Sequence, residues 1–450
     1  MHSKSFPQYE ARRVMRFLLL ALALLLGVIL GSASVIAQEV ADTVRINTRV
    51  VFMDALVKDK RTGVPISDLK PENFEILDDG NPRTISYFTR EGQARKPLAL
   101  VLILDLRDDG AGRFLKRPEV LKTVADELAK LSPQDEVAIL AMDVNREDEK
   151  RLWLTGFTRD PAQLVAALAR APQFIDPAIA DATAPKQSQQ SDADHASSLT
   201  LGSDSSQKKS DGSVRDRSVQ EKPKDDVVET EIIKGKNGAV ITRTTRKDGS
   251  VEVKRVSKSG DVTLDLGDVY DMAAAVKDTT RKTKQERPNS QLAIVWVSDG
   301  IAPIFFEDRD ATEQLVIRSN VIFNALTVEL RTLFKVLLPI GKPIAGMMGI
   351  SVYGSAKRLA QQSGGEAVKV SRVKDYAAGL SKIIGNLTAR YSLGFALAEA
   401  EKDDGRLHNL EVRVKAPDAK GKLRKLEVSA RRGYYMSETG EKDTAASKAQ

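Results

Sequence analysis

Hydrophobic positions change their period along the chain, and each change marks a different kind of element. Val44 to Val57 alternates over much of its length, as a half-buried strand does. Phe74-Glu-Ile-Leu77 and Thr84-Ile-Ser-Tyr-Phe88 flank the turn residues Asp78 to Pro82 and predict a hairpin. Residues 42–90 read as a small N-terminal β module, short to stand alone. The pattern then shifts. Leu98 to Asp105 and Gln291 to Asp299 are almost continuously apolar, and each ends in an aspartate. Such runs are the pattern of parallel strands covered on both faces. Helical spacing appears in 116–131, where Leu121, Val124, Leu128 and Leu131 recur before Ser132-Pro133 stops the helix. Asp160-Pro161 opens another helix. Glu136 to Met142 and Asn320 to Val328 read as strands, and Arg151 to Phe157 as an edge strand. Further helices are expected over 268–283, 310–317, 351–362 and 373–388. This alternation over 97–389 predicts an α/β domain, a doubly wound, mostly parallel sheet. The strands Tyr391 to Phe395, Leu410 to Val414 and Leu426 to Ala430 make a C-terminal β segment over 390–436, before a polar tail at 437–450. The two β segments flank the α/β domain and are placed to form one module, since chain ends often lie close.

Two stretches break the pattern. Residues 172–262 are mostly Ser, Asp, Lys, Gln and Gly, and are expected to be a largely disordered low-complexity insertion. Within it, Val227 to Val256 holds short β-prone pieces, read either as a protruding hairpin or as a solvated charged arm. Leu333 to Ile350 is apolar and rich in Gly and Pro, and reads either as a docking flap or as a loop covering its own core.

The first 37 residues carry an address. Arg12, Arg13 and Arg16 precede the apolar run Phe17 to Leu30, and Val35-Ile-Ala37 resembles a cleavage site. A secretory signal peptide over 1–37 is expected, with an uncleaved membrane anchor as the alternative. Either places the rest outside the cytoplasm, secreted or periplasmic. The 450-residue chain contains no cysteine, which excludes disulfides and thiolate metal sites. Its net charge of +7 is spread along the chain and argues for no nucleic-acid partner.

The candidate chemistry sits at the two aspartates. Ligands of open α/β sheets bind at the C-terminal strand edge, where Asp105 and Asp299 fall. Two carboxylates there suit a cation, but Arg107 follows two residues after the first and is placed to occupy the same space. Asp108 and Asp109 precede Gly110 and also fit a turn. No catalytic constellation accompanies them. His2 and His195 lie in the signal and the insertion, and His408 beside a C-terminal strand. Ser298 lacks the Gly-x-Ser-x-Gly setting of a nucleophile elbow. Trp153 and Trp296 fall in strands, so no aromatic cluster marks a polymer binder.

The stretches Leu69 to Gly80, Leu98 to Asp105, Asp299-Gly300, Tyr391 to Gly394 and Ala430 to Tyr434 together resemble the secreted von Willebrand factor A-domain-related proteins of Acidobacteria, over about 42–171 and 263–436. The resemblance implies an integrin-I-like doubly wound fold with a metal-ion-dependent adhesion site. Carried over, the first ligand aspartate is Asp105 and the later one Asp299. The two serine positions are Arg107 and Asp109, and the threonine position is Gly267 beside Asp268. The metal candidates are therefore Asp105, Asp109 and Asp299, for Mg²⁺ if any ion. Because a guanidinium cannot ligate a metal, Arg107 is expected to pair with Asp105 and Asp299 and fill the ion's electrostatic role. The expected function is a non-enzymatic, protein-binding scaffold with a degenerate adhesion site, its partner another protein or an envelope component. A metal-dependent adhesion protein and a surface-polymer binder are the alternatives.

Overall fold

The computed structural model describes residues 49–90, 96–107, 111–142, 151–174, 226–247, 251–258, 260–265, 272–328, 342–372, 375–401, 403–418 and 420–436. The expected signal, the start of the first strand at Val44 and the tail lie outside the described residues. Among the described residues, no helix is long and apolar enough to cross a membrane.

The first strands are β1 (Val50–Asp59), β2 (Phe74–Asp78), β3 (Asn81–Arg83) and β4 (Tyr87–Thr89). The expected hairpin differs in its second arm. Asp79 and Gly80 take positive φ (48° and 84°), so the turn holds two residues and β3 pairs at once with β2. The following strand, β4, joins a different sheet.

The α/β part begins with β5 (Leu98–Asp105), helix α1 (Pro118–Leu128), β6 (Glu136–Met142), β7 (Arg151–Thr158) and helix α2 (Pro161–Leu168). At the start of α2 the Asp160 side chain accepts the Ala162 amide at 2.8 Å, and Pro161 needs no amide partner. A four-stranded antiparallel meander follows: β8 (Val227–Lys234), β9 (Val240–Arg246), β10 (Val251–Ser257) and β11 (Gly260–Asp265). The α/β alternation resumes with α3 (Met272–Glu286), β12 (Gln291–Ser298), β13 (Ile301–Phe305), α4 (Phe306–Arg318), β14 (Ile322–Val328), β15 (Ile350–Tyr353), α5 (Ser355–Ser363), β16 (Ala367–Val370) and α6 (Asp375–Thr388).

The central sheet has the order β16-β14-β12-β5-β6-β7. All neighbours are parallel except β7, which runs antiparallel at one edge. The fold is a mixed α/β one with a mostly parallel central sheet. Successive residues of each strand bury on opposite faces. Leu100, Leu102 and Leu104 pack with α1, α2 and α6, while Val101 and Ile103 pack with α3, α4 and α5. Every residue of β5 is buried, which is why its sequence shows no alternation.

The remaining strands are β17 (Tyr391–Ala396), β18 (His408–Val414), β19 (Leu426–Ser429) and β20 (Gly433–Tyr434). They pair with the first strands in two antiparallel sheets, β19-β1-β17-β4 and β20-β18-β2-β3. Inward residues of both, among them Met53, Ile76, Tyr391, Phe395 and Val412, form one core. The Tyr391 hydroxyl accepts the Leu69 amide at 3.1 Å and donates to the Ile66 carbonyl at 2.9 Å.

Within the expected insertion over 172–262, the strands β8 to β11 favour the β reading of Val227 to Val256 over the charged arm; 175–225 lie outside the described residues. The inward face of the meander alternates Ile241 with Arg243, and Val253 with Arg255. Both arginines are buried because α4 opens on two buried acids. Arg255 grips Glu307 with Nε and Nη2 at 3.2 and 3.0 Å, and Arg243 pairs with Asp308. Placed in the first turn of α4, these carboxylates also complement the helix dipole. Charged side chains that look solvated in sequence thus hold the meander down. Of the apolar stretch 333–350, the described part after 341 packs Ala345 and Met348 against the meander, while Met347 stays exposed.

Candidate functional site

β5 and β12 are adjacent, with Leu104 opposite Val297. From this pair the chain winds outward in both directions, so their C-terminal ends flank the topological switch point, where the first turns diverge and leave a crevice. Asp105 ends β5, and Ser298 and Asp299 end β12 and begin its turn. Asp105 is fully buried and Asp299 nearly so (5 % exposed).

Arg107 closes the crevice. Its Nε lies 3.2 Å from Asp105 Oδ1 and its Nη2 3.2 Å from Asp105 Oδ2, a bidentate fork. The same Nη2 lies 3.0 Å from Asp299 Oδ1. Neighbouring groups complete the arrangement. The Arg107 amide donates to Asp105 Oδ1 at 3.1 Å, and the Ile301 amide to Asp299 Oδ1 at 2.9 Å. Ser298 Oγ donates to Asp105 Oδ2 at 2.8 Å and accepts the Gly300 amide at 3.2 Å. The arginine side chain is only 14 % exposed. Two buried carboxylates are thus met by one cationic fork and three short-range donors.

A magnesium ion does not fit this arrangement. It would need the carboxylate oxygens that face the crevice, and both oxygens of Asp105 and Oδ1 of Asp299 are already occupied by the guanidinium. The arginine and an ion would compete for the same oxygens. Asp108, Asp109, Gly267 and Asp268 lie outside the described residues, so only Asp105, Arg107 and Asp299 of the candidates are seen brought together. Ser298 was missed as a partner. Its signal was its place one residue before Asp299 on a strand buried on both faces, where a hydroxyl needs an acceptor.

Ser298 is fully buried, and its hydroxyl points at Asp105 rather than at solvent. Both oxygens of Asp105 accept hydrogen bonds within the site. His408 lies in the sheet β20-β18-β2-β3, apart from this crevice in the fold's layers.

No protein-family model and no curated protein matches the chain. Among solved structures, it is similar to the von Willebrand factor type A domain of SpRpn10 (10 % identity, TM-score 0.28, covering 64 % of this chain and 94 % of that one). It is similar also to a von Willebrand factor type A protein from Catenulispora acidiphila (9 %, TM-score 0.33, 80 % and 72 %). A third is the pilus adhesin SpaC from Lactobacillus rhamnosus GG in its open conformation (9 %, TM-score 0.30, 81 % and 47 %), of which the chain spans about half the length. At these identities and scores, no functional statement follows from the likenesses.

Proposed function

We propose that the chain is a secreted or envelope-associated scaffold that binds another protein or an envelope component, and that its adhesion-type site is degenerate. One observation carries this reading: the Arg107 fork spans Asp105 and Asp299 where an adhesion site would hold its ion. An internal cation permanently offsets one of the two negative charges at the strand edge. Binding through this domain then depends on surface shape and hydrogen bonds, not on a metal completed by a partner's carboxylate. The buried Ser298 and the fully engaged Asp105 favour a binding role over an enzymatic one.

The test compares envelope proteins retained by the immobilised full chain in magnesium and in a chelator, for the wild type, Arg107→Ala and Asp299→Ala. The scaffold reading expects the same retained proteins with and without chelator. Retention that needs magnesium and disappears in Asp299→Ala would replace it with metal-dependent adhesion. Fusing residues 1–37 to an export reporter tests the location: a cytoplasmic reporter sinks the secreted assignment.

A further inference from the structure

We propose that Asp78, Asp79 and His408 form a binding site for a divalent cation of the zinc class at the end of the β20-β18-β2-β3 sheet. The site lies in a different layer from the Arg107 crevice and does not depend on the reading given to it.

The register of β2 against β18 builds the site. Asp78 ends β2, Asp79 opens the two-residue turn, and β18 starts at His408, so a strand pairing between residues 330 apart brings them together. One ligand atom from each lies within 4.8 Å of the others. His408 Nδ1 is 3.0 Å from Asp79 Oδ2 and 4.0 Å from Asp78 Oδ1. Metal bonds of about 2.0–2.2 Å place neighbouring ligands of a tetrahedral ion roughly 3.3–3.6 Å apart, midway between these separations. One imidazole nitrogen with two carboxylates, leaving a position open to water, suits zinc(II) or cobalt(II) better than calcium or magnesium.

Two features single out a cation from a simple cluster of acids. The first is Asp78. It is 3 % exposed, and its Oδ2 is well served, accepting from Arg83 at 2.7 and 2.9 Å and from the Tyr434 hydroxyl at 3.1 Å. Its Oδ1, buried and turned toward His408, has no hydrogen-bond partner. A buried carboxylate oxygen left bare is destabilising, so its orientation needs a reason. The second is the orientation of the histidine. Nε2 lies 3.2 Å from Asp404 Oδ1, and the ring stacks on Tyr434 at 5.0 Å. With Nε2–H donating to Asp404, the Nδ1 lone pair faces Asp78 and Asp79, the arrangement that supports metal-binding histidines. A proton on Nδ1 would satisfy Asp79 alone. A divalent ion satisfies Asp79 and the bare oxygen of Asp78 together.

The surrounding charges leave room for the ion. Arg406 is shared between Asp79 and Asp404, and Arg83 between Asp78 and Glu401, so four carboxylates meet two guanidiniums in direct contact. Asp79 and Asp404, 24 % and 40 % exposed, provide the entry side.

The test titrates the chelator-stripped full chain with cobalt(II), followed by visible absorption, and with zinc(II), followed by calorimetry. A single saturable site is expected, unchanged in Asp299→Asn and lost in His408→Gln and Asp79→Asn. Asp404→Asn should weaken it roughly 10–100-fold, the range for outer partners of a ligating histidine. Because His408→Gln could unfold the sheet, ring-nitrogen NMR of the wild type gives a second readout. Zinc should move the Nδ1 resonance of His408 while Nε2 keeps its proton. Absence of binding by the wild type, binding that survives in folded His408→Gln, or a ring that keeps protons on both nitrogens in saturating zinc would overturn the proposal.

Discussion

Replacing Arg107 by alanine is the most direct test of how the sheet edge is held. The substitution removes the only guanidinium bonded to both Asp105 and Asp299, among the described residues, and leaves two carboxylates that are 0 % and 5 % exposed. Breaking a buried pair by removing one partner costs about 3–5 kcal/mol, because a charge remains uncompensated. An exposed ion pair would contribute about 0–1 kcal/mol. The arginine side chain is 14 % exposed, so the buried case applies and a loss of at least ~3 kcal/mol is expected. The assay is urea unfolding followed by tryptophan fluorescence, since Trp296 lies in β12 itself. Magnesium adds a second arm. If the guanidinium stands where an ion would, the variant should regain stability with magnesium while the wild type does not respond. A ligand at about 100 times its Kd restores ~2.7 kcal/mol. A loss within ~0.5 kcal/mol of zero, the scale of an ordinary surface change, would refute the reasoning. So would a wild type that is itself stabilised by magnesium.

Three further outcomes follow from the packing. Arg255→Ala strands the buried Glu307 beneath the meander, so a loss of ~3–5 kcal/mol and faster proteolysis within residues 227–265 are expected; unchanged cleavage rates there would contradict it. Gly349 has φ of 80°, and a Cβ built there would come 2.9 Å from the Arg255 guanidinium, so Gly349→Ala should cost about 1–3 kcal/mol in the same unfolding assay. At Glu366, burial pushes the carboxyl up, but Lys58 and Asn386 more than reverse this and hold it below its ordinary value of 4.5. A carboxyl lowered by folding contributes stability that is present above the ordinary value and is lost as pH falls through the folded value. Unfolding free energy should therefore fall as pH drops below about 4.5, and less steeply in Lys58→Met; equal slopes would exclude the pair as a source.

The parts legible in the sequence were those whose burial is complete. β5 and β12 stood out because both faces are covered, and their ends fixed the place of Asp105 and Asp299 before any tertiary information. The two-residue offset of Arg107 from Asp105 was legible for the same reason. The meander was legible only as an open choice between a hairpin and a charged arm, because its core positions hold Arg243 and Arg255, whose burial depends on Glu307 and Asp308 more than fifty residues later. Composition counts such arginines as solvated. The β16 edge strand, four residues long, was too short for any period to register. The cluster around His408 was hidden differently. Asp78 and Asp79 read as turn residues and His408 as an isolated base, and only the β2–β18 register relates them.

The two β sheets outside the α/β layers have an implication for the order of assembly. Val50 pairs with Ala396, and Leu56 with Ser429, so β1 waits for partners that are made some 340 to 370 residues later. One half of the central sheet has no such delay, since β5, β6 and β7 follow one another, and β5 meets its other neighbour β12 well before residues 391–434 are made. A growing chain would therefore pass through a stage with a closed α/β body and an N-terminal strand whose two edges are both unsatisfied. Such edges are templates for pairing with other chains. Synthesis of residues 391–434 is the event that retires them, and a chain stopped after residue 390 would keep them open. Residues 391–434 thus act as the clasp of a loop whose other half is made first.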